Sequence, residues 1–238
     1  MMLAPEIIAT RGPRRSPASA RGADTRRRLI ETAIEVFAAH GYDGTSTRLL
    51  AERAGVNLPA IQYHFGSKEG LYRAVVGYFA DYIEQQMAAV GARIKATFSA
   101  GRPSRAATLA LLTELLGNFV ALVFEGDDGD TRASVESRKL FIARAEVERS
   151  AALETLYATM RRCVGEPCAA LVARLIGRSL KDEQTWLRTA AILGQATVFC
   201  NKPAVRTLRW KSMDHTRVRA VQRVVCEHTR AIFAGRGR

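Results

Sequence analysis

Residues Ala54–Phe65 read "AGVNLPAIQYHF". A glycine, an asparagine and a proline fall close together, and a polar-aromatic cluster follows. The stretch is either a loop between helices or a tight turn that opens a helix. Asn57 is a good helix N-cap. Pro59 then lies in the first helical turn, where its missing N–H is one that the helix leaves unpaired anyway. The spacing therefore predicts a three-residue turn, Gly55-Val56-Asn57, and a helix from Leu58 that Gly66 ends. Ile61 and Phe65, four apart, point inward with Leu58 near them. Asn57, Ala60, Tyr63 and His64 lie on other sides, with Gln62 between.

Working outward, a first helix is expected from Asp24 or Thr25, where Leu29, Ile30, Ala33, Ile34, Val36 and Phe37 begin to recur at helical spacing. His40-Gly41 ends it. Ser46 or Thr47 caps a short second helix with Leu50, Ala51 and Ala54 on its apolar side. Ser67 caps a long fourth helix, Lys68 to about Ala100, apolar at Leu71, Val75, Phe79, Tyr82 and Ile83. Further periodic segments lie near 104–125, 134–148, 151–165, 167–178, 182–200 and 214–233. No alternating strand pattern of convincing length and no internal repeat is present. The expected fold class is all-α. The expected parts are a disordered basic tail (1–23), a three-helix unit (24–70) and a helical domain (71–238), the fourth helix joining the last two.

Composition narrows the function classes. The chain has 238 residues, 47% of them apolar, which suits folded domains. It has no run of 18 uncharged apolar residues, so no membrane span is expected, and its first residues make a poor secretory signal. A cytoplasmic location is expected. Cys163, Cys168, Cys200 and Cys226 show no C-x-x-C pair and no histidine at zinc-finger spacing, so reduced, partly buried thiols are expected. The acidic run Gly126–Asp130 lacks the spaced ligands and closing glutamate of a calcium loop. With no nucleophile–base–acid spacing and no glycine-rich phosphate cradle, neither an enzyme nor a cofactor or metal is expected. The net charge of +13 points to an acidic partner, but residues 1–90 carry 11 Lys/Arg against 9 Asp/Glu, and residues 91–238 carry 25 against 14. Charge alone therefore does not mark the three-helix unit as a nucleic-acid binder, and local geometry must.

Helix, three-residue turn with glycine, helix is the geometry of a helix-turn-helix reader, whose second helix enters the major groove. The stretch "TRRRLIETAIEVFAAHGYDGTSTRLLAERAGVNLPAIQYHFGSKEGLY", Thr25–Tyr72, closely resembles the N-terminal domain of TetR-family transcriptional regulators. The match is most specific in "GYDGTSTRLLAERAGVN" and "YHFGSKEGL". The later "GQATVF" and "RTLRW" are compatible with the CecR-like branch. One departure stands out: the family usually carries an aromatic where Gln62 sits. A glutamine there suits the N6/N7 edge of adenine.

The resemblance implies a ligand-responsive, dimeric, sequence-specific repressor on a palindromic double-stranded operator, released by a small-molecule effector. Ser46, Thr47, Arg48, Tyr63, His64 and Lys68 are then the expected phosphate contacts, and Asn57, Leu58, Ala60 and Gln62 the expected base or groove contacts. For Tyr63 the alternative is packing on the fourth helix, and for His64 a hydrogen bond within the domain. Arg26, Arg27 and Arg28 form either a phosphate-touching arm or a solvated helix face. Phe119, Phe124, Phe141, Tyr157, Met160 and Phe199 suit an apolar effector pocket, with Arg144, Gln195 or Glu148 as polar contacts, although such stripes also serve as core. The homodimer seam is expected on Leu187, Ala190, Ala191, Gly194 and Val198, and on Val218, Val221, Val225 and Ile232. The rival reading is a basic helical protein that binds RNA or membrane surfaces through "VRTLRWKSMDHTRVRAVQRVV", Val205–Val225.

Overall fold

A computed structural model describes residues 17–125, 132–200, 207–210 and 213–234. The expected disordered tail (1–23) is helical from Pro17 onward; its residues 1–16 and the acidic run Gly126–Asp130 lie outside the described residues. The described chain is all-α: α1 (Pro17–His40), α2 (Thr47–Ala54), α3 (Leu58–Phe65), α4 (Lys68–Ser99), α5 (Arg105–Phe124), α6 (Arg132–Val147), α7 (Leu153–Met160), α8 (Glu166–Ile176), α9 (Glu183–Thr197) and α10 (His215–Ala234).

α1 starts ahead of the expected cap. Asp24 and Thr25 lie inside the helix, where the Thr25 hydroxyl donates to the Arg21 carbonyl at 3.0 Å and Asp24 pairs with Arg27 at 3.2 Å. A threonine satisfied by the carbonyl four residues back does not have to cap, so its presence alone does not locate a helix start. The serine caps follow the local chemistry. Ser46 accepts from Leu49 N–H, Ser67 from Gly70 N–H and Ser104 from Ala107 N–H, each at 3.0–3.1 Å. Gly55 closes α2 at φ 62°, the left-handed region that favours glycine.

The sequence suggests a break at Gly165-Glu166-Pro167. The chain instead runs from α7 into α8 through one π turn, Arg161–Gly165, in which Glu166 N–H donates to Arg161 C=O. A proline ring inside a regular helix meets the carbonyl four residues back, here Cys163. One extra residue in the turn relieves that crowding without ending the helix.

One hydrophobic core runs from the first three helices into the body. α1 packs on α6, α4 on α5 and α7, and α10 on α5. α5 is long and apolar enough to cross a membrane by length and composition. Its position accounts for that: it is in contact with α4, α8, α9 and α10, so few of its faces need be polar. Arg105, at its start, donates to the carbonyls of Leu175 and Phe233, tying down the ends of α8 and α10.

Candidate nucleic-acid interface

α1, α2 and α3 close around Leu29, Phe37, Leu50 and Ile61, each at most 2% exposed. Ile61 is the residue that seats α3. Phe65 is half-buried beneath the Arg26 guanidinium, 5.4 Å from the ring centre. Leu58 is not packed beside them as expected but 51% exposed, on the outer side of α3. The helix is short, so its buried side holds few residues and the rest of its circumference is open.

That open side carries hydrogen-bonding groups. Asn57 sits at the N-cap position, yet its amide makes no capping bond, and it is exposed. Gln62 is exposed and Ala60 half-buried. Tyr63 is 85% exposed, which excludes packing of its ring on α4. His64 is half-buried with its ring edge-on to Tyr63, centroids 4.9 Å apart. At the start of α2, Ser46 and Arg48 are exposed and Thr47 half-buried. Arg26 lies on Phe65, and Arg27 pairs with Asp24 and Glu31, so these two arginines engage their own domain.

Lys68 departs from expectation. Its ammonium donates to the carbonyls of Tyr42 at 2.9 Å and Thr45 at 3.0 Å, and lies 4.1 Å from the centre of the Tyr42 ring. Charged donors to backbone carbonyls are strong bonds. The side chain thus closes the α1–α2 turn from within and is not directed at a phosphate.

The resulting face is a short rod, α3, with exposed amide and phenol groups and a half-buried imidazole, packed on α2, whose start adds the Ser46 hydroxyl and Arg48. It has the shape and chemistry to lie in a major groove, with backbone contacts on either side. Residues 29–75 match the profile of the bacterial regulatory proteins of the tetR family, and residues 110–236 match the C-terminal domain of the HTH-type transcriptional dual regulator CecR. The chain belongs to the TetR family, in its CecR-like branch. As a TetR-family transcriptional regulator it carries a helix-turn-helix DNA-binding domain. It is 28% identical over 217 residues to the dual regulator CecR of Shigella flexneri, covering 90% of this chain and 94% of that one. It is 45% identical over 62 residues to the regulatory protein RaaS of Mycobacterium tuberculosis, covering 26% and 29% of the two chains. In fold it resembles a TetR-like regulator from Rhodococcus sp. RHA1, with a TM-score of 0.61 at 19% identity over 95% of this chain and 100% of that one.

The body of this TetR-family chain departs from the expected pocket. Phe119, Phe124 and Phe141 are at most 5% exposed and belong to the core. Phe141 is the bridge between head and body: its ring lies 5.1 Å from Tyr72 and 5.4 Å from Phe79, and Phe37 of α1 reaches it at 6.4 Å. Tyr157 is 45% exposed, its hydroxyl 3.4 Å from Glu146. Met160 and Phe199 are partly buried against the core, and the Gln195 carbonyl oxygen is buried without a hydrogen bond. Glu148 lies at the junction of head and body. Its carboxylate accepts the Tyr42 backbone N–H, and Arg144 packs beside Gly41. Sequence reasoning missed Tyr42 and Tyr72 as a junction, because nothing local reveals partners this far along the chain. Burial pushes the Tyr72 phenol above its ordinary pKa, Ser150 pulls the other way, and the Glu148 charge adds to the rise.

The two expected seam stripes also differ. On α9, Leu187, Ala190 and Ala191 are exposed and Gly194 half-buried, and Val198, in the turn just after it, is exposed, an outward strip of small and aliphatic side chains. On α10, Val218, Val221 and Val225 are at most 2% exposed, in the chain's own core, and only Ile232 of that set is exposed. A face already covered by α5 is not available to a second subunit.

Proposed function

We propose that this regulator is a ligand-responsive, dimeric, sequence-specific repressor acting in the cytoplasm. Its reading head spans residues 24–70 and its ligand and dimerisation body residues 71–238. The observation that carries the reading is the outer side of α3, where Asn57, Gln62 and Tyr63 stand exposed on a helix anchored by Ile61. Asn57 and Gln62 read base edges, each good bidentate pair discriminating by about 1–3 kcal/mol. Tyr63, His64, Ser46, Thr47 and Arg48 hold phosphates. One head spans one half-site, so two subunits joined through the outer strip of α9 and Ile232 read a palindrome.

The rival reading, a membrane or RNA binder through Val205–Val225, is weakened by burial of the apolar side of α10, which a membrane-binding helix needs free. Footprinting purified protein on the DNA flanking its own gene tests the proposal. A palindromic footprint abolished by joint Gln62→Ala and Tyr63→Ala, with helicity intact, is expected. An unchanged footprint removes α3 as the reader. The Shigella relative is described as a dual regulator, so transcription from the footprinted promoter is measured for both signs.

A further inference from the structure

Residues 57–66, which make up α3 and its two caps, hold no Lys, Arg, Asp or Glu, in a chain that is 25% charged. The nearby cations do not make up the lack. Lys68 is turned to the Tyr42 and Thr45 carbonyls, and Arg26 lies on Phe65. Arg48 and Arg53 stand on α2, the helix of the pair that crosses the DNA backbone. What α3 presents is neutral. Asn57 and Gln62 are exposed amides, and between them Leu58 is 51% exposed, Pro59 exposed and Ala60 half-buried.

A lone exposed leucine on a protein surface needs no explanation. An apolar run at the leading end of α3 does, because the N-terminal residues of a recognition helix are the ones that meet base edges. In the major groove each base asks for a different group. Guanine takes Arg or Lys, the cytosine amine takes Asp or Glu, adenine takes Asn or Gln, and thymine offers its C5 methyl to an apolar side chain. α3 holds the adenine and thymine groups and neither of the other two. Leu58 and Gln62, four apart, are neighbours on the helix. Four residues rise about 6 Å, less than two base steps of about 3.4 Å.

We infer that the stretch of half-site under α3 is A·T sequence, and that Leu58 selects it by burying a thymine C5 methyl within about two base steps of the adenine that Gln62 reads. This rests on α3 being the DNA reader and adds what it reads. Thymine is distinguished here by a methyl group, not by a hydrogen bond, so the preference is open to a substitution that removes the methyl alone.

The test selects binding sites from random-sequence duplexes with the full-length protein. The position that loses its preference when the selection is repeated with Gln62→Ala marks where α3 lies, and its neighbours should be A·T pairs. Each thymine of the selected duplex is then replaced by uracil, which removes the methyl and keeps every hydrogen-bonding group. One thymine within about two steps of the marked position should stand out. Its replacement in one half-site should weaken binding about fourfold, or about 0.8 kcal/mol for one buried carbon. Leu58→Ala, with helicity intact, should bind the thymine and uracil duplexes alike. A loss in Leu58→Ala that is equal for both duplexes, with the parent chain's preference for thymine retained, makes the leucine a support of the head only and overturns the inference. So do G·C pairs selected under α3, or a uracil series without a sensitive position, and in each of these cases the chain remains a sequence-specific DNA binder. A chain that selects no sequence at all defeats the DNA-reading proposal itself, and this inference with it.

Discussion

The carboxylate of Glu148 accepts the backbone N–H of Tyr42, with one oxygen at 3.3 Å and the other at 3.4 Å, across 106 residues of chain. It joins the end of α6 to the turn that carries α2. Gly41, next to it, has φ 74°, and a Cβ there would lie 2.3 Å from the Glu148 Oε1. Gly41→Ala therefore strains the backbone by about 1–2 kcal/mol and also displaces the carboxylate. Glu148→Ala removes only the hydrogen bond, about 0.5–1.5 kcal/mol. Thermal melts should show the alanine at 41 as the more damaging change. Hydrogen exchange should show the Tyr42 amide opening faster in both variants. Equal protection in Glu148→Ala and the parent chain overturns the latch.

Base and phosphate contacts separate by salt dependence. Gln62→Ala should lower operator affinity by about 1–3 kcal/mol and relax preference at one base pair. Arg48→Ala should weaken binding evenly across sequences and reduce the slope of log affinity against log salt by about 0.9. Lys68→Met should lower the melting temperature and leave that slope unchanged, because the ammonium is held by the Tyr42 and Thr45 carbonyls. A slope lowered by one contact in Lys68→Met places the lysine on phosphate after all.

The outer strip of α9 and the inner valines of α10 predict opposite phenotypes. Leu187→Glu, at a 54% exposed position, should yield a folded monomer by sedimentation. Val221→Ala, at a 2% exposed position, should cost about 1–3 kcal/mol of stability and leave the assembly unchanged. A dimer unaffected by Leu187→Glu assigns the seam elsewhere.

Burial in α8 pushes the Cys168 thiol up from its ordinary 9.0 to about 12. The folded chain therefore keeps this proton where the unfolded chain has lost it. The contribution is intact below about pH 9 and declines between there and about pH 12, by at most ~1.4 kcal/mol per pH unit. Between pH 8 and pH 10, the urea midpoint of Cys168→Ala should fall less than that of the parent chain. Equal losses would show that the thiol titrates alike in both states.

How much was legible in the sequence follows from the range over which each feature is decided. The turn at Gly55, the entry of Pro59 into α3, the caps at Ser46 and Ser67 and the length of α4 all depend on residues within one or two turns. The chemistry of capping and of left-handed glycine settles them locally. The family likeness in Thr25–Tyr72 rests on those same short-range features. Thr25 shows where local reasoning overreaches: a hydroxyl able to cap is equally able to bond back within a helix.

By itself, the sequence determined the helices, their apolar sides and the outward polar groups of α3, since 3.6-residue periodicity and capping act along the chain. Only the tertiary structure decided which element covers each apolar side. Phe141 became the bridge between head and body and not a pocket wall, Val218, Val221 and Val225 became core under α5, and the Lys68 ammonium turned inward to the α1–α2 turn. Periodicity says that a face must be buried; the partner that buries it lies elsewhere in the chain, beyond the reach of any local rule.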